Sequence, residues 1–172
     1  MRTFLFLTIL AFVSFCPPAL AALAVGDPAP ALITTQFDDK TFNLAAKKGR
    51  VVIVNFWAGW CPPCQAELPM LRSFYRHHRA QGLDIIVISL DHLRNRESVK
   101  MFMFENFLPA AMLAETQTNG FGEPSLLPLT YVIDAKGIIR AVEKEPVTID
   151  SLSRIVLPLL RTDEESGTDK AL

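Results

Sequence analysis

The chain has 172 residues, half of them apolar and a fifth charged, with a formal net charge of -1. This length suits one domain with a full hydrophobic core, and this composition excludes a largely disordered chain. The near-zero charge and the lack of a basic stripe exclude nucleic acid as an expected partner.

The N-terminal segment, residues 1–24, differs from the rest of the chain. Arg2 precedes an apolar run at 3–15, and the segment ends with Ala-Leu-Ala at 22–24. A positive start, a short apolar run and small residues at a cleavage site are the parts of a secretory signal peptide. An uncleaved membrane anchor is the alternative, because the run could extend toward the roughly 20 residues that a span needs. In either case we expect a periplasmic or otherwise exported protein, and we interpret Cys16 as part of this segment.

The predicted elements of the remaining chain follow one another as strands and helices. The run 51–57 is apolar and rich in β-branched residues, which indicates a strand buried on both faces. From Pro62 onward apolar residues recur at helical spacing, which predicts an amphipathic helix. Further predictions are a strand at 84–90, a helix at 97–107, strands at 129–133 and 138–142, a helix at 150–160 and a flexible polar tail at 162–172. This alternation predicts an α/β fold with a mixed sheet, in one domain spanning 25–161.

The sequence Trp60-Cys61-Pro62-Pro63-Cys64 lies between the first predicted strand and helix. The two prolines suit the first turn of a helix, where backbone N–H groups have no intrahelical partner. Cys61 then lies at or beside the N-cap, where those N–H groups and the helix dipole stabilise a thiolate. Cys64 lies one turn further and should be more buried. An exposed attacking thiolate beside a shielded second sulfur is the asymmetry that a redox pair needs.

Other functions of a Cys-x-x-Cys pair fit this chain less well. Covalent haem attachment needs a His after the second Cys, where this chain has Gln65. A structural zinc site needs four ligands, and after residue 24 the chain has neither a second cysteine pair nor suitably spaced histidines. A structural disulfide across so short a loop restricts the unfolded chain little. A copper site formed by the two cysteines with His78 or His92 stays open as an alternative.

The segment 55–64, Asn-Phe-Trp-Ala-Gly-Trp-Cys-Pro-Pro-Cys, closely resembles the active-site segment of thioredoxin-like proteins of the TlpA/ResA type. Those proteins are exported thiol-disulfide oxidoreductases of bacteria. Residues 25–30, 42–50 and 127–134 are similar to further segments of the family, so the resemblance covers most of the chain after residue 24. It implies a thioredoxin-like fold with an extra strand and helix at about 91–122. It also implies a redox-active Cys61–Cys64 disulfide and no other cofactor.

The resemblance also implies roles for residues outside the cysteine pair. Pro128 would form a cis peptide bond with Leu127 and face the disulfide. Glu67 would be the buried acid that moves protons for the cysteines, although a Glu in a first helical turn is also favoured when it is solvated. Trp60, Pro62 and Leu127 would contact the substrate.

The expected activity is therefore the reduction of disulfides in client proteins, in which Cys61 attacks and Cys64 resolves the mixed disulfide. The resemblance implies a membrane protein as electron donor, and apocytochrome c or metal-site assembly proteins as clients. We expect a monomer. A dithiol oxidase of the same fold and a copper-binding assembly module are the alternatives. A peroxiredoxin is disfavoured, because Ala58 occupies the position three residues before Cys61 at which those enzymes carry Thr.

Overall fold

A computed structural model of the chain describes the backbone of residues 23–168 and the side chains of residues 23–160. Almost all of the predicted signal segment, residues 1–22, lies outside the described residues. The strands are β1 (Leu32–Thr35), β2 (Thr41–Asn43), β3 (Val51–Trp57), β4 (Leu83–Ser89), β5 (Ala110–Met112), β6 (Thr116–Asn119), β7 (Leu129–Ile133) and β8 (Ile139–Glu143). The α-helices are α1 (Pro62–His78), α2 (Arg96–Asn106) and α3 (Ile149–Thr168). Within residues 23–168, no helix has both the length and the apolar character needed to cross a membrane.

The main sheet has five strands in the order β5-β4-β3-β7-β8. The central strand β3 runs parallel to β4 and antiparallel to β7, and β8 returns antiparallel to β7. The predicted mixed sheet is confirmed, and the two predicted strands at 129–133 and 138–142 pair as a hairpin. Every residue of β3 is buried, which explains why its sequence is apolar without alternation.

The two faces of the sheet carry two hydrophobic clusters. Val51, Ile53 and Trp57 of β3 pack with buried side chains of all three helices. Val52, Val54 and Phe56 point to the other face and pack with residues of β1, β2 and β8. Because successive side chains of a strand point to opposite faces, one strand serves both clusters.

Helix α1 begins directly after Cys61, as its prolines predict. One face of the helix is a stripe of buried side chains that packs against the sheet. Cys64, Leu68 and Leu71 are fully buried, at spacings of four and three residues. The stripe continues at Phe74 and not at Tyr75, which is only half-buried. Cys64, in the first turn of α1, is therefore fully buried in the cluster between the helix and the sheet.

The segment after β4 contains the inserted strand and helix expected from the resemblance. Helix α2 leads to β5, which pairs parallel with β4 and widens the main sheet. β6 leaves that sheet and pairs antiparallel with β1, which also pairs with β2, so that a second, three-stranded sheet forms. The sequence patterns did not predict this second sheet, because its strands are only three or four residues long.

Helix α3 differs from its predicted boundary. The sequence predicts a helix that ends at Leu160, shortly after Pro158, but its backbone continues to Thr168. Pro158 removes only one intrahelical N–H donor, and the acidic residues that follow are adequate helix formers. The segment predicted as a polar tail therefore begins as helix up to Thr168, and residues 169–172 lie outside the described residues.

Candidate active site

The site lies where β3 ends and α1 begins. Between them the chain makes a tight turn in which the Cys61 N–H donates to the Ala58 carbonyl at 3.1 Å. Cys61 is the N-cap of α1, with extended backbone angles, and its Sγ accepts a hydrogen bond from the Cys64 N–H at 3.3 Å. The Cys61 carbonyl accepts from the Gln65 N–H at 3.1 Å. These bonds fix the first sulfur at the positive end of the helix dipole.

Cys61 and Cys64 form a disulfide, with an S–S distance of 2.01 Å. Cys61 is 6% exposed and Cys64 is 0% exposed. The difference has the predicted sign, but Cys61 is less exposed than we expected. Of the two cysteine residues, only Cys61 has solvent-exposed surface, so an incoming thiol or disulfide approaches from the side of Cys61.

Glu67 is buried in the same helix, with 4% of its surface exposed. It follows Cys64 by three residues, which places both on one face of α1. Its Oε1 accepts a hydrogen bond from Asn55 Nδ2 at 2.8 Å, and its Oε2 accepts from the Val147 N–H at 2.9 Å. Desolvation by burial raises the pKa of Glu67, and the two hydrogen bonds that Glu67 accepts oppose that rise only in part. A carboxyl group with a raised pKa keeps its proton to a higher pH than an exposed carboxyl group does, which suits it to proton transfer within a site.

Asn55 links Glu67 to the neighbouring strand. Its Nδ2 also donates to Thr130 Oγ1 at 2.9 Å, across the pairing of β3 with β7. Its Oδ1 is buried and has no hydrogen-bond partner among the described residues. The side chain therefore presents its donor group to the acid, which favours the ionised form of Glu67.

A cavity of about 460 Å³ adjoins the buried acid. Its lining comes from α1 and from the loop that leads into α3, and includes Pro63, Glu67, Met70, Val147 and Ile149. The cavity places open space beside Glu67 on the side of the loop before α3.

The rim of the site is formed by exposed apolar side chains. Trp60 is 67% exposed, and Pro62 and Leu126 are also exposed, while Leu127 is half-buried. The Leu127–Pro128 peptide bond is cis, as the resemblance implied. Because Leu129 pairs with Phe56, Pro128 lies at the same edge of the sheet where β3 gives way to the cysteine turn.

Two polar side chains at the end of β4 hold the cysteine turn from the other side. Asp91 Oδ2 accepts a hydrogen bond from the Gly59 N–H at 2.7 Å and another from Ser89 Oγ at 2.8 Å. Sequence reasoning missed both residues, although polar residues directly after a buried strand were a usable signal, since sites lie beyond the carboxyl ends of parallel strands. It also missed Thr130 and Val147, for which no local signal exists, because Val147 contributes only its backbone N–H.

The proposed copper ligands are not brought together. Among residues 23–160, no group of three or more His, Cys, Asp and Glu side chains is close enough to hold a metal ion. His78 ends α1, a helix of 17 residues, and at 1.5 Å per residue it lies about 21 Å from Cys64 along the helix axis. His92 is exposed beside the cysteine turn but joins no such group.

Comparison with known proteins agrees with this geometry. The AhpC/TSA family matches residues 25–142. The thiol-disulfide oxidoreductase ResA of Bacillus cereus is 31% identical over 124 residues, which cover 71% of this chain and 69% of that protein. ResA of Bacillus subtilis (strain 168) is 28% identical over 149 residues, covering 85% of this chain and 81% of that protein.

A solved structure of a thiol:disulfide interchange protein, a thioredoxin family protein from Chlorobium tepidum TLS, is also similar. Its TM-score is 0.68 at 29% identity, and the match covers 81% of this chain and 99% of that chain. The predicted thioredoxin-like fold is thereby confirmed. The chain belongs to the AhpC/TSA family, with the thioredoxin fold, and is similar to its thiol-disulfide oxidoreductases of the ResA type.

Proposed function

We propose that this thiol-disulfide oxidoreductase reduces disulfide bonds of client proteins outside the cytoplasm. The observation that carries the proposal is the position of the Cys61–Cys64 disulfide at the N-terminus of α1, one helical turn from the buried acid Glu67. A structural disulfide needs neither the helix terminus nor the acid.

The reaction starts from the reduced pair. The Cys61 thiolate attacks one sulfur of the client disulfide, a mixed disulfide forms, and the other client sulfur leaves as a thiolate. Cys64, as thiolate, then attacks Cys61 Sγ and releases the second client sulfur. The client gains two electrons and two protons, and the protein ends with the Cys61–Cys64 disulfide that the structure contains. A dithiol protein of the membrane, as electron donor, returns the two electrons.

Glu67 acts on the second step. Cys64 is fully buried, so its thiol must lose a proton in a site where water has little access. Glu67 lies on the same face of α1 and takes that proton, directly or through one water molecule. Glu67 then releases the proton to solvent through the cavity that it lines beside α3.

The rim accounts for client binding. Trp60 and Pro62 flank Cys61, the more exposed cysteine of the pair, in the chain, and Leu127 precedes the cis-proline at the same edge of the sheet. Their side chains offer apolar surface to an extended client segment. Pro128 has no backbone N–H, and Leu127 before it lies outside the paired residues of β7, where its backbone can pair with a client strand.

The cellular setting rests on the sequence. The N-terminal segment 1–24 is a signal peptide or an anchor, which places the domain in the periplasm or another exported compartment. Disulfides form and persist there, so a dedicated reductant has clients: apocytochrome c before haem attachment, or proteins that assemble metal sites. The domain works as a monomer and does not bind nucleic acid.

Two measurements test the proposal. The first is the reduction potential of the pair, obtained by equilibrating the purified protein in thiol buffers and recording tryptophan fluorescence. A potential near or below about -220 mV agrees with a reductant, whereas one near about -120 mV would reverse the direction and make the protein a dithiol oxidase.

The second measurement uses single cysteine variants and a disulfide-bonded peptide with a Cys-x-x-Cys-His sequence. Cys61→Ser should abolish reduction of the peptide, and Cys64→Ser should accumulate a mixed disulfide detectable by mass spectrometry. Full activity of Cys61→Ser would refute the mechanism.

A further inference from the structure

Asp91 is a buried carboxylate that holds the turn before the cysteines. It is 6% exposed, and within residues 23–160 it has no ion-pair partner. Its Oδ2 accepts from the Gly59 N–H and from the Ser89 hydroxyl, and its own backbone N–H donates to Ser89 Oγ at 3.1 Å. Burying a carboxylate without an ion-pair partner costs free energy, and these hydrogen bonds offset that cost.

Both backbone polar groups of Gly59 form hydrogen bonds to side chains. Its N–H is bound by Asp91, and its carbonyl accepts a hydrogen bond from Gln65 Nε2 of α1. A side chain at this position would meet the carboxylate, because a Cβ built on Gly59 lies 3.4 Å from both carboxylate oxygens. The end of β4 is itself tied to β3, since the Leu90 N–H donates to the Trp57 carbonyl at 2.9 Å. Asp91 therefore fastens the cysteine turn to the rigid centre of the sheet.

The same contact brings a negative charge close to the redox pair. Asp91 Oδ2 lies 2.7 Å from the Gly59 nitrogen, and Cys61 follows Gly59 by two residue steps of about 3.8 Å each, so the carboxylate lies within about 15 Å of the Cys61 sulfur. At such distances, in a partly desolvated site, a carboxylate repels a thiolate appreciably. The helix N-terminus stabilises the Cys61 thiolate, and Asp91 opposes that stabilisation.

We propose that Asp91 is a positioning residue that clamps Gly59 and whose buried charge biases the Cys61–Cys64 pair toward the disulfide, which makes the reduced pair a stronger reductant. This inference rests on the proposed function and names Asp91 as one residue that makes the cysteine pair a reductant rather than an oxidant. The charge acts on the reduced form only, because the disulfide carries no thiolate.

The test is the equilibrium with glutathione, in which two molecules of reduced glutathione convert the protein disulfide into a dithiol and form one oxidised glutathione. Asp91→Asn keeps a carbonyl oxygen for the Gly59 N–H but removes the charge. We expect its equilibrium constant to shift toward the dithiol by about three- to tenfold, in line with the Coulomb repulsion removed.

Two control variants separate the charge from the contacts. Ser89→Ala disturbs the same hydrogen bonds but keeps the charge, and Asp38→Asn removes a surface carboxylate that pairs with Lys40. Both should remain within about twofold of the wild-type constant. Urea unfolding of each oxidised variant verifies that it folds, and Asp91→Ser, which is also neutral, replaces Asp91→Asn if that variant does not fold.

A neutral Asp91 variant within twofold of wild type would overturn the role of Asp91, and so would a Ser89→Ala shift as large as that of the neutral variant. Either result leaves the proposed function intact. A wild-type equilibrium that lies far toward the dithiol would instead mark a dithiol oxidant and overturn the proposed function, so the two failures are distinguishable.

Discussion

Asn55 Nδ2 and Glu67 Oε1 form a buried hydrogen bond of 2.8 Å between the central strand and the helix that carries the cysteines. The bond joins β3 to α1, so a change in the protonation state of Glu67 changes a contact that holds the strand and the helix together. Burial raises the pKa of this acid, and the coupling makes the folded state sensitive to pH.

We predict that Glu67→Gln stabilises the oxidised protein relative to wild type, by an amount that grows with pH. Below the ordinary pKa of 4.5, Glu67 is protonated in both the folded and the unfolded chain and contributes no pH dependence. As pH rises above that value the unfolded chain releases its proton first, so the wild type loses stability until the raised folded pKa is passed. Gln does not titrate, and Asn55 can turn its unpartnered Oδ1 toward the new amide. Urea unfolding between pH 4 and pH 8 measures the difference, with Glu105→Gln on α2 as the matched surface control.

A second prediction concerns Asn55→Ala. The variant removes a donor from Glu67 and from Thr130, so it should lower the free energy of unfolding by about 1–3 kcal/mol and raise the pKa of Glu67 further. The pH range over which stability falls should then extend upward. Asn106→Ala is the control, because Asn106 is also buried and donates to the Phe102 carbonyl at 2.9 Å, away from the acid. If both variants had the same pH dependence as wild type, Asn55 would not influence the acid.

A third prediction concerns the exposed rim. Trp60→Ala should change the free energy of unfolding by no more than about 0.5 kcal/mol, as for most surface substitutions. We expect it to slow reaction with the Cys-x-x-Cys-His peptide several-fold, but to leave reaction with glutathione within twofold. Phe107→Ala removes another exposed aromatic side chain, after the end of α2, and should affect neither reaction. An equal loss toward the peptide in both variants would refute a binding role for Trp60.

A fourth prediction tests the buried stripe of α1. Leu68 is fully enclosed between the helix and the sheet, so Leu68→Ala should lower the free energy of unfolding by about 2–5 kcal/mol. Leu126→Ala, at an exposed position, should lower it by less than about 0.5 kcal/mol. Chemical denaturation of the oxidised protein measures both. Similar values for the two variants would mean that α1 does not depend on this stripe for its attachment.

The main elements of the domain could be predicted from sequence because their patterns are local and strong. The apolar run of β3 and the two prolines after Cys61 place a helix N-terminus at the cysteines, whatever the rest of the chain does. The end of α3 was not predictable in the same way, because one proline and several polar residues suggest a stop without enforcing one. The short strands β1, β2 and β6 have patterns too brief to distinguish from loops, and they form only because β1 pairs with both of the others.

The cysteine pair and its position at a helix N-terminus were therefore determined by the sequence, since they depend on neighbours within one helical turn. Glu67 was named as the candidate acid through the family resemblance. Tertiary structure alone decided what surrounds them: that Glu67 is buried against Asn55 and the Val147 N–H, and that Asp91 reaches back from β4 to hold Gly59. These contacts join residues 12, 80 and 32 positions apart. The contact between Asp91 and Gly59 exists because the parallel pairing of β3 with β4 brings the ends of both strands to one edge of the sheet. The contacts of Glu67 exist because α1 packs on β3 and the loop before α3 lies over the acid. A hydrogen bond between distant residues leaves no periodic trace in the sequence, so the chemistry of the cysteine pair could be predicted before the fold was known, whereas the contacts that tune it could not.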